Sequence, residues 1–116
     1  MGKNKVIQLK FRTINHNIFE AIKKGEKKIE TRAATEKYWS LKKGDRVVLI
    51  CGRQKIMKKV SKVEVFKTIS AILKKYSPQE INPYTKTTKE ARAMWHSFPG
   101  YKEKIKKYGL LVMHLK

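Results

Sequence analysis

The residues best suited to do chemistry lie in one stretch, "GEKKIETR", Gly25 to Arg32, where the carboxylate of Glu30 falls between the cations Lys27 and Arg32. A carboxylate held beside a guanidinium stays ionised, and the guanidinium is thereby fixed for two-pronged recognition of a phosphate or a base edge. Glu30 could also serve as a base while Lys27 polarises a carbonyl, provided both reach one substrate atom. On a strand, Lys28, Glu30 and Arg32 point one way and Lys27, Ile29 and Thr31 the other. Lys27 sits at the bend between a helix cap and the strand, so it could swing to the same mouth. The opposing reading is an ordinary ion pair on a solvated strand, which stabilises little.

Such a site needs a helix that stops just before it and a strand that carries it. "INHNIFEAIKKG" places Ile14, Ile18, Ala21 and Ile22 on one helical face, with Asn15 or Asn17 as N-cap and Gly25 where a left-handed cap is wanted. "KKIETRA" follows as a strand. Before the helix, Ile7, Leu9 and Phe11 alternate as a half-buried strand. After the motif come a Lys43-Gly44-Asp45 turn, a strand from Arg46 to Cys51, and a long strand, "KIMKKVSKVEVFKT", with a bulge or bend near Ser61. "ISAILKKYS" and "TTKEARAMWHSF" read as helices, with Pro78 and Pro83 bracketing a loop between them. "YKEKIKKYG" reads as a short basic helix, and Leu111, Met113 and Leu115 alternate on a closing strand.

With 116 residues the chain is the size of one domain, and its apolar residues are spread along its whole length. Lys and Arg number 29 against 9 acids, a net charge of +20 that draws polyanions, so nucleic acid is the first partner to consider. Most of these cations are lysines, and a lysine-rich surface also accompanies growth at high temperature. Cys51 is alone in the apolar run "VVLICG" and reads as a buried structural thiol rather than a nucleophile. No apolar run is long enough to span a bilayer and the N-terminus lacks a signal-peptide core, so no membrane association and a cytoplasmic location are expected. His16, His96 and His114 are widely spaced and no phosphate-cradling glycine loop is present, so neither metal nor cofactor is expected. Aromatics among lysines suit stacking of unpaired bases. Tyr38 and Trp39, just after the motif, are candidates for that role, whereas Trp95 shares a helical face with Ala91 and Phe98 and reads as core.

"GEKKIETR" resembles the Gly-x-Lys-x-x-Glu-x-Arg pattern of the ASCH domain, in the PUA-like superfamily, at Gly25, Lys27, Glu30 and Arg32. The likeness extends to "FEAIKKG", "LKKGDRVVLI" and "FPGYKEKIKKYGLLVMHLK", and so to nearly the whole chain. It implies a β-barrel ringed by helices, with a cleft lined by the motif that binds RNA or nucleotides. Two variants of the family are catalytic, one resembling an amidohydrolase that removes the acyl group from N-acetylated cytidine and the other a ribonuclease. The amidohydrolase's Lys corresponds to Lys27. Its Thr falls at Glu30, with Thr31 adjacent, and Glu80 is the nearest counterpart of its Glu. ASCH domains also occur attached to transcriptional coactivators, which leaves protein partners open.

The expectation is therefore a single α+β domain over residues 1–116, a small PUA-like mixed β-barrel of about five or six strands with flanking helices. Lys27, Lys28, Glu30, Arg32, Tyr38 and Trp39 would hold nucleic acid, RNA first and DNA second. If the protein is an enzyme, Lys27 and Glu30 would be catalytic, with Glu80 and Thr31 as weaker candidates.

Overall fold

The computed structural model describes residues 4–116. The chain runs β1 (Val6–Phe11), a 3-10 turn at Thr13–Asn15, α1 (His16–Lys23), β2 (Ile29–Ala33), a second 3-10 turn at Glu36–Tyr38, β3 (Arg46–Cys51) and β4 (Gln54–Phe66). It continues through α2 (Ile69–Lys75), α3 (Pro78–Ile81), α4 (Thr88–Ser97) and α5 (Tyr101–Tyr108) to β5 (Leu110–Leu115). The five strands form one mixed sheet in the order β1-β3-β4-β5-β2, parallel only between β1 and β3. This is the expected α+β architecture, a half-barrel with flanking helices.

β4 makes the curl. Its first half pairs with β3 and its second half with β5, and the register slips between Val60 and Lys62. The extra residue, Ser61, bends the strand where the sequence places a bulge. The free edges of β1 and β2 are thereby brought face to face, and no backbone ladder joins them. Side chains reach across instead, with Arg32 Nη1 of β2 donating to the carbonyl of Lys10 at 3.3 Å and Lys37 Nζ, from the 3-10 turn after β2, donating to that of Gln8.

Each face of the β4-β5-β2 portion covers a core. Leu111, Met113 and Leu115 pack with Leu9, Phe19, Ile22, Val47, Leu49 and the buried Cys51, while Leu110 and Val112 pack with Ile72, Ile81, Ala91 and Trp95. β5 is buried on both faces, which is why it reads as a near-continuous apolar run. α1 starts at His16, later than its sequence pattern suggests, and leaves Ile14 in the preceding turn, 78% exposed. Asn15 takes the expected N-cap position of α1 but its side chain makes no capping hydrogen bond, and Asn17 Oδ1 accepts from Ile18 N. The segment expected as a loop between Pro78 and Pro83 contains α3. Ser77 and Glu80 form a reciprocal capping box there, and a proline in the first turn has no N–H to leave unpaired. No helix among the described residues is long and apolar enough to cross a membrane.

Gly109 joins α5 to β5 at φ +81°, and a Cβ there would lie 2.4 Å from the carbonyl oxygen of Phe66. Gly109→Ala therefore combines backbone strain with a clash against main chain. The expected loss is at least ~2 kcal/mol, read by chemical denaturation. Gly25→Ala, where a Cβ would meet nothing within 4 Å, should lose less.

Candidate functional site

The turn after α1 sets the site. Gly25 takes φ +83°, and the amides of Glu26 and Lys27 both donate to the carbonyl of Ala21, folding the chain back beneath the helix end. Lys27 is thus carried inward, 3% exposed, and the next residue, Lys28, outward to solvent. Strict alternation fails at this bend, so Lys27 rather than Lys28 joins Glu30.

Lys27 Nζ donates to Glu30 Oε1 at 3.0 Å and to the carbonyl of Ile29. Arg32 donates to Glu30 Oε2 from Nε at 3.0 Å, with Nη2 also 3.0 Å from that oxygen, and its guanidinium lies 4.7 Å from the centre of the Phe11 ring. Burial pushes the Glu30 carboxyl up, but the charges and hydrogen bonds of Lys27 and Arg32 outweigh it and hold the group below the usual carboxylate range. For Lys27, burial outweighs the pull of Glu30 and draws the ammonium below its ordinary value. For Arg32, Glu30 outweighs burial and raises the guanidinium. Glu30 is therefore a buried carboxylate shared by two cations, unlike a pair on a solvated strand.

A cavity of about 190 Å³ opens along the free edge of β2. By comparison, a dry engineered cavity of ~150 Å³ holds benzene, so there is room for one planar ring but not for a folded chain. Glu30 and Arg32 reach the cavity from one face of β2 and Thr31 lines it too, because the space lies beside the strand rather than above it. Phe11, Ile18, Ile81, Met94 and Phe98 supply apolar walls, and Arg12, Asn15, Asn82 and Tyr101 supply polar groups.

The ladder adds a pair of groups that side-chain patterns cannot reveal. Leu115 N donates to Lys28 O and Ala34 N to Gly109 O, so even-numbered β2 residues bond to β5 and the main chains of Ile29, Thr31 and Ala33 face the free edge. Lys27 Nζ takes the Ile29 carbonyl and Thr35 N takes that of Ala33. The N–H and C=O of Thr31 bond to no protein group among the described residues, so a donor and an acceptor stand side by side at the cavity.

The other expected site residues scatter. The Thr31 hydroxyl is buried and accepts from Trp95 Nε1 at 2.9 Å, which confirms Trp95 as core and ties the hydroxyl to it. Glu80 is exposed and its carboxylate accepts from Ser77 N at 3.0 Å, so it caps α3 and does not line the cavity. Tyr38 is buried in the core beneath the sheet, and burial raises its phenol to about 12. Trp39 is 68% exposed, outside the cavity, with Nε1 donating to the carbonyl of Ala34 at 3.0 Å. Among the described residues no group of His, Cys, Asp and Glu is arranged to hold a metal ion.

No family model matches the chain, and no curated protein matches it. Among solved structures it is similar to the hypothetical protein PH0355, with 27% identity, 98% of each chain covered and a TM-score of 0.74. It is also similar to protein PF0455 from Pyrococcus furiosus, with 25% identity over 98% of this chain and 96% of that one and a TM-score of 0.71. The shared architecture therefore covers the half-barrel and its helices together.

Removing Glu30 leaves two cations, Lys27 and Arg32, without their shared partner. Glu30→Ala is expected to cost ~3–5 kcal/mol, and a Lys27→Met/Glu30→Leu double variant less than the single change, as measured by denaturant unfolding. The lowered Glu30 value means that its contribution is present above the unfolded carboxylate value of ~4.3 and is lost as pH falls through the folded one. Glu30→Gln should accordingly flatten the acid limb of the stability profile.

Proposed function

We propose that the chain is an ASCH-type domain of the PUA-like superfamily that binds RNA or a nucleotide, receiving one base in the cavity beside β2. The observation that carries this reading is the convergence of Lys27, Glu30 and Arg32, three of the four motif residues, on a ring-sized cavity at an unpaired strand edge. The fourth, Gly25, makes the turn that delivers Lys27.

Recognition divides among these groups. Both Glu30 oxygens are already engaged by protein cations, so Glu30 chiefly orients Arg32. Arg32 retains N–H groups able to donate to ring acceptors. Thr31 N–H and C=O complement a base edge that presents an acceptor beside a donor. Phe11 and Phe98 offer apolar and stacking surface, and the lysines that give the chain its +20 charge hold phosphates.

A second reading, hydrolysis of N-acetylated cytidine or of RNA, is favoured by one observation: Lys27 is a buried amine with a lowered pKa, 3.0 Å from a carboxylate. In that reading Lys27 polarises the scissile group and Glu30 manages the proton, while Glu80 takes no part and the Thr31 hydroxyl remains tied to Trp95.

Arg32→Ala is expected to weaken a preferred RNA sequence ~10-fold to 100-fold and random RNA much less, as titrated at physiological salt. Equal loss on both would remove base reading. For the second reading, Lys27→Met should abolish release of acetate from N-acetylated cytidine, or cleavage of RNA, while circular dichroism shows the fold intact. Unchanged turnover in that variant would eliminate it.

A further inference from the structure

A second depression lies on the same sheet face as Arg32. Arg32 pairs with Leu111 and Leu111 with Val65, so the three side chains form one row across β2, β5 and β4. Two strand spacings of ~4.8 Å separate the ends of that row by ~10 Å. At its far end is a groove of about 560 Å³ lined by Trp39, Val65, Tyr38, Lys42, Lys43 and Lys62 among others. Trp39 and Val65 are 68% and 60% exposed, large apolar surfaces for a chain this basic. The Trp39 ring is pinned at Nε1 by the Ala34 carbonyl, leaving its body open to the groove.

We propose that this groove is a second subsite for single-stranded RNA, in which a base stacks on Trp39 while lysines hold the flanking phosphates, continuing a strand whose other base occupies the cavity. The inference rests on the nucleotide-binding reading of the cavity. Charge complementarity selects the occupant, because three lysines and no acid line the groove among the described residues. Lys42 and Lys62 are paired with Asp45 and Glu64, whereas Lys43 has no ion pair among the described residues and is the cation most open to a phosphate. A fixed aromatic platform beside lysines accepts any unpaired base, the form that RNA presents in loops and bulges. The row Arg32-Leu111-Val65 sets the two depressions at opposite ends of one sheet face, with the buried Leu111 between them.

The test titrates ribo-oligonucleotides from one to six residues long into wild type, Trp39→Ala, Trp39→Phe and Arg32→Ala at physiological salt. In wild type, affinity should climb steeply as the oligonucleotide lengthens from one nucleotide toward six. Trp39→Ala should lose about tenfold or more on the longer oligonucleotides yet match wild type on the mononucleotide, and Trp39→Phe should recover most of the loss. Indifference of long-oligonucleotide binding to Trp39→Ala overturns the subsite, as does preference for the deoxyribo-oligonucleotide. So does a self-association, seen by sedimentation, that Trp39→Ala abolishes while RNA binding stays unchanged. The cavity reading fails separately, through a mononucleotide that does not bind or ignores Arg32→Ala.

Discussion

The site depends on one buried carboxylate held between two cations. Burial at 6% exposure opposes the charge on Glu30, Lys27 and Arg32 together outweigh it, and each cation is oriented in turn by the carboxylate oxygen it meets. Desolvating three charges stabilises a fold poorly, since an apolar set of the same volume commonly does as well or better. The cluster is therefore better explained by what it positions, the guanidinium of Arg32 at a cavity, than by the stability it adds.

The same cluster connects local turn chemistry to the curvature of the sheet. Gly25 brings Lys27 under Glu30, whereas the bulge at Ser61 swings β2 round to face β1. Neither device would make a site alone. Without the bend, the main chain of Thr31 would face solvent at an ordinary sheet edge; without the turn, Glu30 would lack one of its two partners. The cavity is the space left where a sheet curls but does not close.

Much of this was legible in the chain. All five strands, the bulge at Ser61, the burial of Cys51 and Trp95 and the association of Glu30 with Arg32 follow from alternation and from residue type. Sequence reasoning stopped where tertiary geometry decides. Strand alternation favours Lys28 as the partner of Glu30 and the motif favours Lys27, and the hydrogen bonds to Ala21 decide for Lys27. Glu80 entered only as the nearest counterpart of the amidohydrolase's Glu, although "SPQE" carries the Ser-x-x-Glu signature of the capping box it forms. The Thr31 main chain has no side-chain signature, and its exposure follows only from which residues of β2 bond to β5. Tyr38 and Trp39 are adjacent aromatics among lysines, yet the 3-10 turn sends one into the core and the other out.

The side chains that reach the free edge of β1 also bear on how copies of the chain behave toward one another. A strand edge with vacant carbonyls is a template onto which another polypeptide can add a strand. Here Arg32 and Lys37 occupy the carbonyls of Lys10 and Gln8 along β1, and each brings a positive charge to a place where an incoming strand would dock. The β1 edge of the half-open sheet is thus guarded against edge-to-edge aggregation by the very guanidinium that faces the cavity.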